Sequence, residues 1–313
     1  MWSPSDSLEI PLDDWVEQAV KGWLVPNFRE VFQAIQMPIT AVLEGLNGTL
    51  QAIPMPVFAI LVTLLAWLVA SRGVAIFSIL GLVFIDLIGV WQETMTTLAM
   101  ILTAVIFCAI VGVPLGIAAA RSDRFADGLR PVLDIMQTIP PFVYLVPIVM
   151  LFGVGMTPGI IATIIFALPP IIRLTNLGIR SVPGDLVEAA YAFGSTPRQV
   201  LWEVQLPLAL KTIMAGLNQT LMLALSMAVI AALIGAGGLG LTVYTGLGRL
   251  DVGAATEGGV GIVLLAMILD RITQALGSDK PTKVPSLLDT LRSLFRMRGP
   301  GAAPAGAERD ASS

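Results

Sequence analysis

The side chains able to do chemistry are few in this sequence, and what is missing constrains it as firmly as what is present. There is no histidine, which removes imidazole acid–base catalysis, most transition-metal sites and histidine-ligated haem. Cys108 is the one cysteine, so neither a disulfide framework nor a cysteine metal site can be built. The lysines are Lys21, Lys211, Lys280 and Lys283, and none follows the glycines of a G-x-x-x-x-G-K-[ST] pattern. The chain therefore carries no phosphate loop, and any ATP it depends on is hydrolysed on another chain. Gly235, Gly237 and Gly240 do satisfy G-x-G-x-x-G, but they follow an apolar stretch instead of a strand. A glycine-rich turn, not a nucleotide site, is the reading. No catalytic set, cofactor site or metal site emerges.

Two groups of polar residues remain. The first lies in the segment 178–211, GIRSVPGDLVEAAYAFGSTPRQVLWEVQLPLALK. Asp185 is placed to cap a helix, with Glu188 three residues on able to reach back. Gly194 permits a turn, Ser195 or Thr196 can cap a second helix, and Pro197 sits at its first position. The second helix is expected to end near Pro207, giving a compact knob whose small Ala189 and Ala190 accept a close neighbour. The second group lies inside apolar stretches: Gln137, Thr138, Phe142 and Tyr144 beside Pro140–Pro141, and Asn218, Gln219 and Ser226 further on. These are candidates for lining a solute path, and interhelical contacts explain them as well. The prolines at 140–141, 147 and 169–170 are expected to kink the helices that carry them. Asp86, Asp134 and the adjacent Asp270–Arg271 read as side chains tilting toward an interface, and no proton relay is apparent.

The elements that must hold these residues follow from composition. Over 313 residues, 56% are hydrophobic and 13% charged, a balance suited to lipid and not to water. A membrane helix needs about 20 apolar residues. Seven stretches approach that length, at 53–70, 74–91, 95–120, 132–152, 157–177, 212–235 and 259–276. The expectation is an all-α, polytopic membrane protein with about seven transmembrane helices. Of 18 lysines and arginines, all but Lys21, Arg29 and Arg249 fall on one side of such a topology. Basic loops stay cytoplasmic, so the N-terminus is expected outside and the C-terminus inside. A net charge of −4 with scattered basic residues excludes a nucleic-acid face. Residues 1–52 are acidic and proline-broken, so no cleavable signal is apparent and insertion is led by a retained helix. Aromatics from Trp15 to Phe32 at helical spacing suggest a membrane-surface helix over 12–35. The permease domain is placed at 53–276, and the small, polar residues within 277–313 are expected to be disordered.

Glu188-Ala189-Ala190, then Gly194, Val204 and Leu206-Pro207, resemble the E-A-A loop of importer-type ATP-binding-cassette permeases, with Val204 in place of the usual isoleucine. The resemblance implies that Asp185, Glu188, Ala189, Ala190, Gly194, Pro197, Leu206 and Pro207 belong to a coupling helix that docks on an ATPase. Glu188 capping its own helix is compatible with that role. The stretches MQTIPPFVYLVPIVMLFGVG, TIIFALPPIIRLTNLGI, TIMAGLNQTLMLALSMAVIA and GRLDVGAATEGGVGIVLLAMILDRITQA are similar to permeases of the glycine betaine/proline betaine importer family. The similarity covers roughly residues 95 to 276. It implies the importer-type permease fold and a bacterial inner-membrane location. It also implies an ATPase holding ATP and Mg, an extracytoplasmic substrate-binding protein, a second permease copy, and quaternary-ammonium osmolytes such as glycine betaine or choline as cargo. Alternatives are an ion-coupled secondary transporter, a permease for another small solute such as an amino acid, or a non-transporting scaffold. The first would require inverted repeats and intramembrane ionisable partners that the sequence does not display.

Overall fold

A computed structural model describes residues 25–277, together with Trp15, Gln18 and Gly22. Among these residues there are helices and no strands. In chain order they are α1 (Val25–Ala52), α2 (Met55–Val69), α3 (Arg72–Leu87), α4 (Trp91–Arg121), α5 (Asp123–Thr138), α6 (Pro141–Phe152), α7 (Met156–Arg180), α8 (Gly184–Ala192), α9 (Pro197–Ile234), α10 (Leu239–Gly248) and α11 (Val252–Leu276). Of the surface helix expected over 12–35, the part from Val25 on is the start of α1 and most of the residues before it lie outside the described ones, as does the tail after Gly277.

Length and hydropathy single out α4, α7, α9 and α11 as able to cross a membrane alone. Counting each of two sharply bent pairs as one span gives up to six. The apolar stretches at 53–70 and 74–91 become the two short helices α2 and α3, packed as a hairpin. The stretch at 132–152 is not one helix. It breaks after Thr138, and α5 and α6 meet at 99°. Pro140 and Pro141 cause the break, because neither offers an N–H to the preceding turn and Ile139, ahead of Pro140, is pushed to extended backbone. A similar elbow of 106° separates α1 from α2, at Pro54 and Pro56. By contrast, Pro169 and Pro170 sit buried within an unbroken α7. Local caps fix other boundaries. The hydroxyl of Ser71 accepts from the Val74 N–H, that of Ser122 from the Phe125 N–H, and the Asp251 carboxylate from the Ala254 N–H.

The helix contacts define two ends of the bundle. At one lie the end of α4, the end of α7 and the α8 knob; at the other lie the starts of α4 and α7 and the end of α9, where the Gly155 N–H donates to the Ile234 carbonyl at 2.8 Å. The helix α1 packs against α4, α6 and α7 at that far end. Phe32 meets Phe152 edge-on at 5.3 Å, the Thr40 hydroxyl lies 3.1 Å from that of Thr157, and Gln51 Nε2 donates to Thr96 Oγ1 at 3.0 Å. Its buried face, Ile39 and Leu43 with Leu46 and Leu50 beside them, rests on the main apolar core. So α1 runs across the far end, and α2 turns down from it.

At the centre, α4, α7 and α9 form a seam closed by small residues. A Cβ on Gly116 would fall 2.8 Å from the Ile172 carbonyl oxygen, one on Gly112 would strike Ile171, and one on Gly216 would lie 3.2 Å from the Ile171 Cα. The G-x-x-x-G pair at 112 and 116 thus serves packing inside the chain. A second buried cluster, with Cys108, Leu133, Ile171, Ile172, Leu201, Ala209 and Ile213, continues the seam to the knob end.

Candidate functional site

The knob begins at α8. Pro183 occupies its cap position with no side-chain hydrogen bond, and Asp185 lies in the first turn. The expected cap by Asp185 and return bond by Glu188 are therefore not made. Proline already ends the preceding segment and needs no N–H there, which shifts the start of the helix two residues upstream. Asp185 instead favours the helix as an acid near its positive end. The far end of α8 closes through a left-handed glycine. Gly194 has φ +85°, its N–H donates to the Tyr191 carbonyl at 2.9 Å, and the Ser195 N–H donates to the Ala190 carbonyl at 3.1 Å. That pair of bonds requires a residue free of the Cβ penalty, which explains glycine at 194.

Thr196, not Ser195, caps the second helix. Its hydroxyl accepts from the Gln199 N–H, and Gln199 Oε1 accepts from the Thr196 N–H at 2.8 Å, with Pro197 in the first turn. This helix does not end near Pro207. It continues to Ile234 as α9, a rod of 38 residues. The segment Val200–Gln205 widens to π-helical turns, and the Leu206 N–H donates to the Leu201 carbonyl, five residues back. The wider turn takes up the ring and missing donor of Pro207 without stopping the helix.

No residue of α8 is buried. Asp185, Glu188, Ala189, Gly194, Pro197 and Pro207 are exposed, while Ala190 and Leu206 are half-buried. Phe193 is 91% exposed, and Leu186, Tyr191 and Trp202 stand exposed around it. Underneath, Val200 and Leu201 are buried and tie the knob to the bundle. The aromatic surface was not singled out from the sequence, although three aromatics between 191 and 202 in a polar loop are a legible signal.

The path candidates separate into different places. Gln137, Thr138 and Tyr144 meet at the α5–α6 elbow. Tyr144 donates its hydroxyl to the Met136 carbonyl at 2.6 Å, Thr138 bonds the Ile135 carbonyl, and Gln137 Oε1 accepts from Arg173 Nη1 at 2.6 Å. The other arm of Arg173 reaches Asp134 at 2.6 Å. These groups hold the elbow against α7, and Asp134 is an ion-pair partner instead of a tilting side chain. Two turns away, Arg180 pairs with Asp123 at 2.6 Å and also bonds Asn176 and the Ala119 carbonyl. Phe142 is exposed on α6.

Asn218 is elsewhere. Its Nδ2 donates to Asp270 Oδ1 at 2.9 Å, and its Oδ1 accepts from Thr273, which joins α9 to α11. Gln274 Nε2 donates to the same Asp270 oxygen at 2.6 Å. Asp270 therefore turns into a helix contact, not toward the interface. Gln219 and Ser226, seven residues apart on α9, are both exposed, and Ser226 bonds only its own helix backbone. Gly235, Gly237 and Gly238 form the turn between α9 and α10, where Gly235 and Gly238 take positive φ, and Gly240 lies in the first turn of α10.

Comparison with known proteins agrees with this architecture. The family model described as "Binding-protein-dependent transport system inner membrane component" matches residues 112–279. The glycine betaine/proline betaine transport system permease protein ProW of Escherichia coli (strain K12) is 57% identical over 274 residues, 88% of this chain and 77% of that protein. The glycine betaine transport system permease protein OpuAB of Bacillus subtilis (strain 168) is 46% identical over 274 residues, 88% of this chain and 97% of that protein. Among solved structures, an inward-facing conformation of the MetNI methionine ABC transporter superposes with a TM-score of 0.53 at 26% identity. It covers 60% of this chain and 92% of that one. The chain belongs to the family of binding-protein-dependent transport system inner membrane components, and it is a membrane-embedded permease subunit of an ABC importer, not an enzyme.

Proposed function

We propose that this permease carries quaternary-ammonium osmolytes, glycine betaine, proline betaine or choline, into a bacterial cell through the cytoplasmic membrane. The chain lies with its N-terminus outside and its C-terminus in the cytoplasm. The single observation that carries the coupling side of this reading is the knob. Its α8 buries nothing, it presents Tyr191, Phe193 and Trp202 to a partner, and it is continuous with a helix of membrane-spanning length. A separate ATPase, holding ATP and Mg, docks there through Asp185, Glu188, Ala189, Ala190, Gly194 and Pro197, with Leu206 and Pro207 at the root. Closure of two such ATPases shifts the permease between states of different affinity for the ATPase dimer. A second permease copy completes the solute path, and an extracytoplasmic receptor delivers cargo to the far end. The osmolyte class rests on the names of the close relatives.

Thr138, Phe142, Gln219 and Ser226 are the path positions with exposed side chains; Gln137, Tyr144 and Asn218 act on the path through the helices they hold. An aromatic face suits a cation with no hydrogen-bond donor. The test is uptake of labelled glycine betaine into vesicles holding the permease with its ATPase and receptor. ATP-dependent accumulation is expected. Accumulation by the permease alone under a sodium or proton gradient would instead establish a secondary transporter, and ATP-dependent uptake of amino acids but not betaine would move the substrate class.

A further inference from the structure

The knob-bearing helix α9 has two contrasting neighbours within the bundle. Toward α7 its contacts are small and apolar: Gly178 sits against Ala209 and Thr212, and Gly216 against Ile171 and Leu174. Such a surface is held by dispersion and is indifferent to direction. Toward α11 the contact is a polar network, the Asn218 amide bonded through both its atoms to Asp270 and Thr273. Thr273 also bonds the Leu269 carbonyl at 2.8 Å, and Gln274 holds the same Asp270 oxygen. The network is half-buried, with Ile268, Ile272 and Leu221 buried nearby in sequence. Below it, Gly277 brings the end of α11 against Met214 of α9.

We propose that Asn218 and Asp270 are positioning residues that make α11 follow α9, so that motion of the knob reaches the rest of the membrane domain. A hydrogen bond to a carboxylate is directional and strong where water is scarce, and leaving either partner unpaired there is costly. Sliding α9 along α11 by one turn would break Asn218 from both partners at once, whereas along α7 the glycine contacts are apolar and the polar bond lies at the far tip, from the Gly155 N–H to the Ile234 carbonyl. The consequence extends outward, because α11 packs against the α2–α3 hairpin, where a Cβ on Gly81 would lie 3.3 Å from Ile268, and forms a close hairpin with α10. The clasp therefore ties α11 and the α2–α3 hairpin to the knob-bearing helix, while α10 also meets α9 directly, where Gly240 sits against the Ala228 backbone. This inference rests on the transport reading above.

The experiment uses the complete assembly of permease, ATPase and receptor in vesicles. It measures receptor-stimulated ATP hydrolysis and betaine uptake on the same preparation. Asn218→Ala and Asp270→Ala are expected to lower uptake per ATP hydrolysed about tenfold, the scale of a typical coupling between sites. Hydrolysis itself should stay within about twofold, as the knob is untouched. The reciprocal pair Asn218→Asp with Asp270→Asn keeps one N–H···O bond between the helices and should restore most of the ratio. Thr273→Val removes the bond from Thr273 to Asn218 between the helices while keeping shape, and provides the same readout should an alanine variant fail to assemble. An unchanged ratio overturns the proposal. So does a parallel fall of uptake and hydrolysis, or an assembled reciprocal pair that restores nothing. Absence of ATP-dependent uptake by the unmodified assembly would instead overturn the transport reading, which keeps the two failures apart.

Discussion

On α8 no side chain is buried and Phe193 stands almost wholly exposed, whereas at the seam of α4 and α7 even a methyl group on Gly112 or Gly116 has no room. The two regions belong to one continuous structure, since α9 starts in the knob and runs through the seam. They differ in what their residues answer to. In the seam, small residues answer to neighbours in the same chain, and close contact over many atoms supplies the stability. In the knob, local hydrogen bonds fix the shape, through the backbone of the Gly194 turn and the side chains of the Thr196–Gln199 box. Its exposed side chains are the ones that the proposed function gives to the ATPase.

That contrast can be broken most sharply at the seam. Gly116→Leu should cost about 3 kcal/mol by overpacking, read as a fall in the melting temperature of the detergent-solubilised permease, with loss of transport following from loss of fold. Gly194→Trp reverses the pattern. No atom lies within 4 Å of a Cβ at 194, so the internal cost is backbone strain of about 1–2 kcal/mol, confined to the turn. Membrane insertion should persist while ATPase binding and ATP-dependent uptake are lost. Unaltered uptake by an assembled Gly194→Trp permease would remove the docking role from the knob.

Smaller effects sharpen the comparison. Thr196→Ala should weaken the helix start by about 1 kcal/mol, seen as faster amide exchange over 198–200 with the seam amides unaffected. Arg180→Ala should change stability by less than about 1 kcal/mol, because its ion pair with Asp123 is largely exposed. A larger loss would mean that its bond to the Ala119 carbonyl matters more than the charge.

The same division explains what was legible in the sequence. Gly194, Thr196 and Pro197 could be read because each acts on backbone within a few residues. Asp185 as a cap could not, since Pro183 took that position first. The continuation of α9 past Pro207 was hidden because a π-helical turn leaves no composition signature. The break at Pro140–Pro141 was flagged by the prolines, but two helices at 99° rather than one kinked span depended on the anchors from α7. Arg173 finds Gln137 and Asp134 at separations of 36 and 39 residues, and Asn218 finds Asp270 at 52. Pairings of that range are set by packing, to which local pattern is blind.

The unbroken course of α9 also has a mechanical meaning. Its 38 residues span about 57 Å at the rise of an α-helix, so the rod is a lever with its bearing at the glycine contacts to α7. A tilt of roughly 5° about that bearing would separate the positions of its two ends by about 5 Å, close to one helical pitch. Local unfolding is unnecessary for such a stroke. Ile171 and Leu174 seat against Gly216 and hold the bearing in place, and the amplitude at the far end is the push on the knob scaled by the ratio of the two arms of the rod.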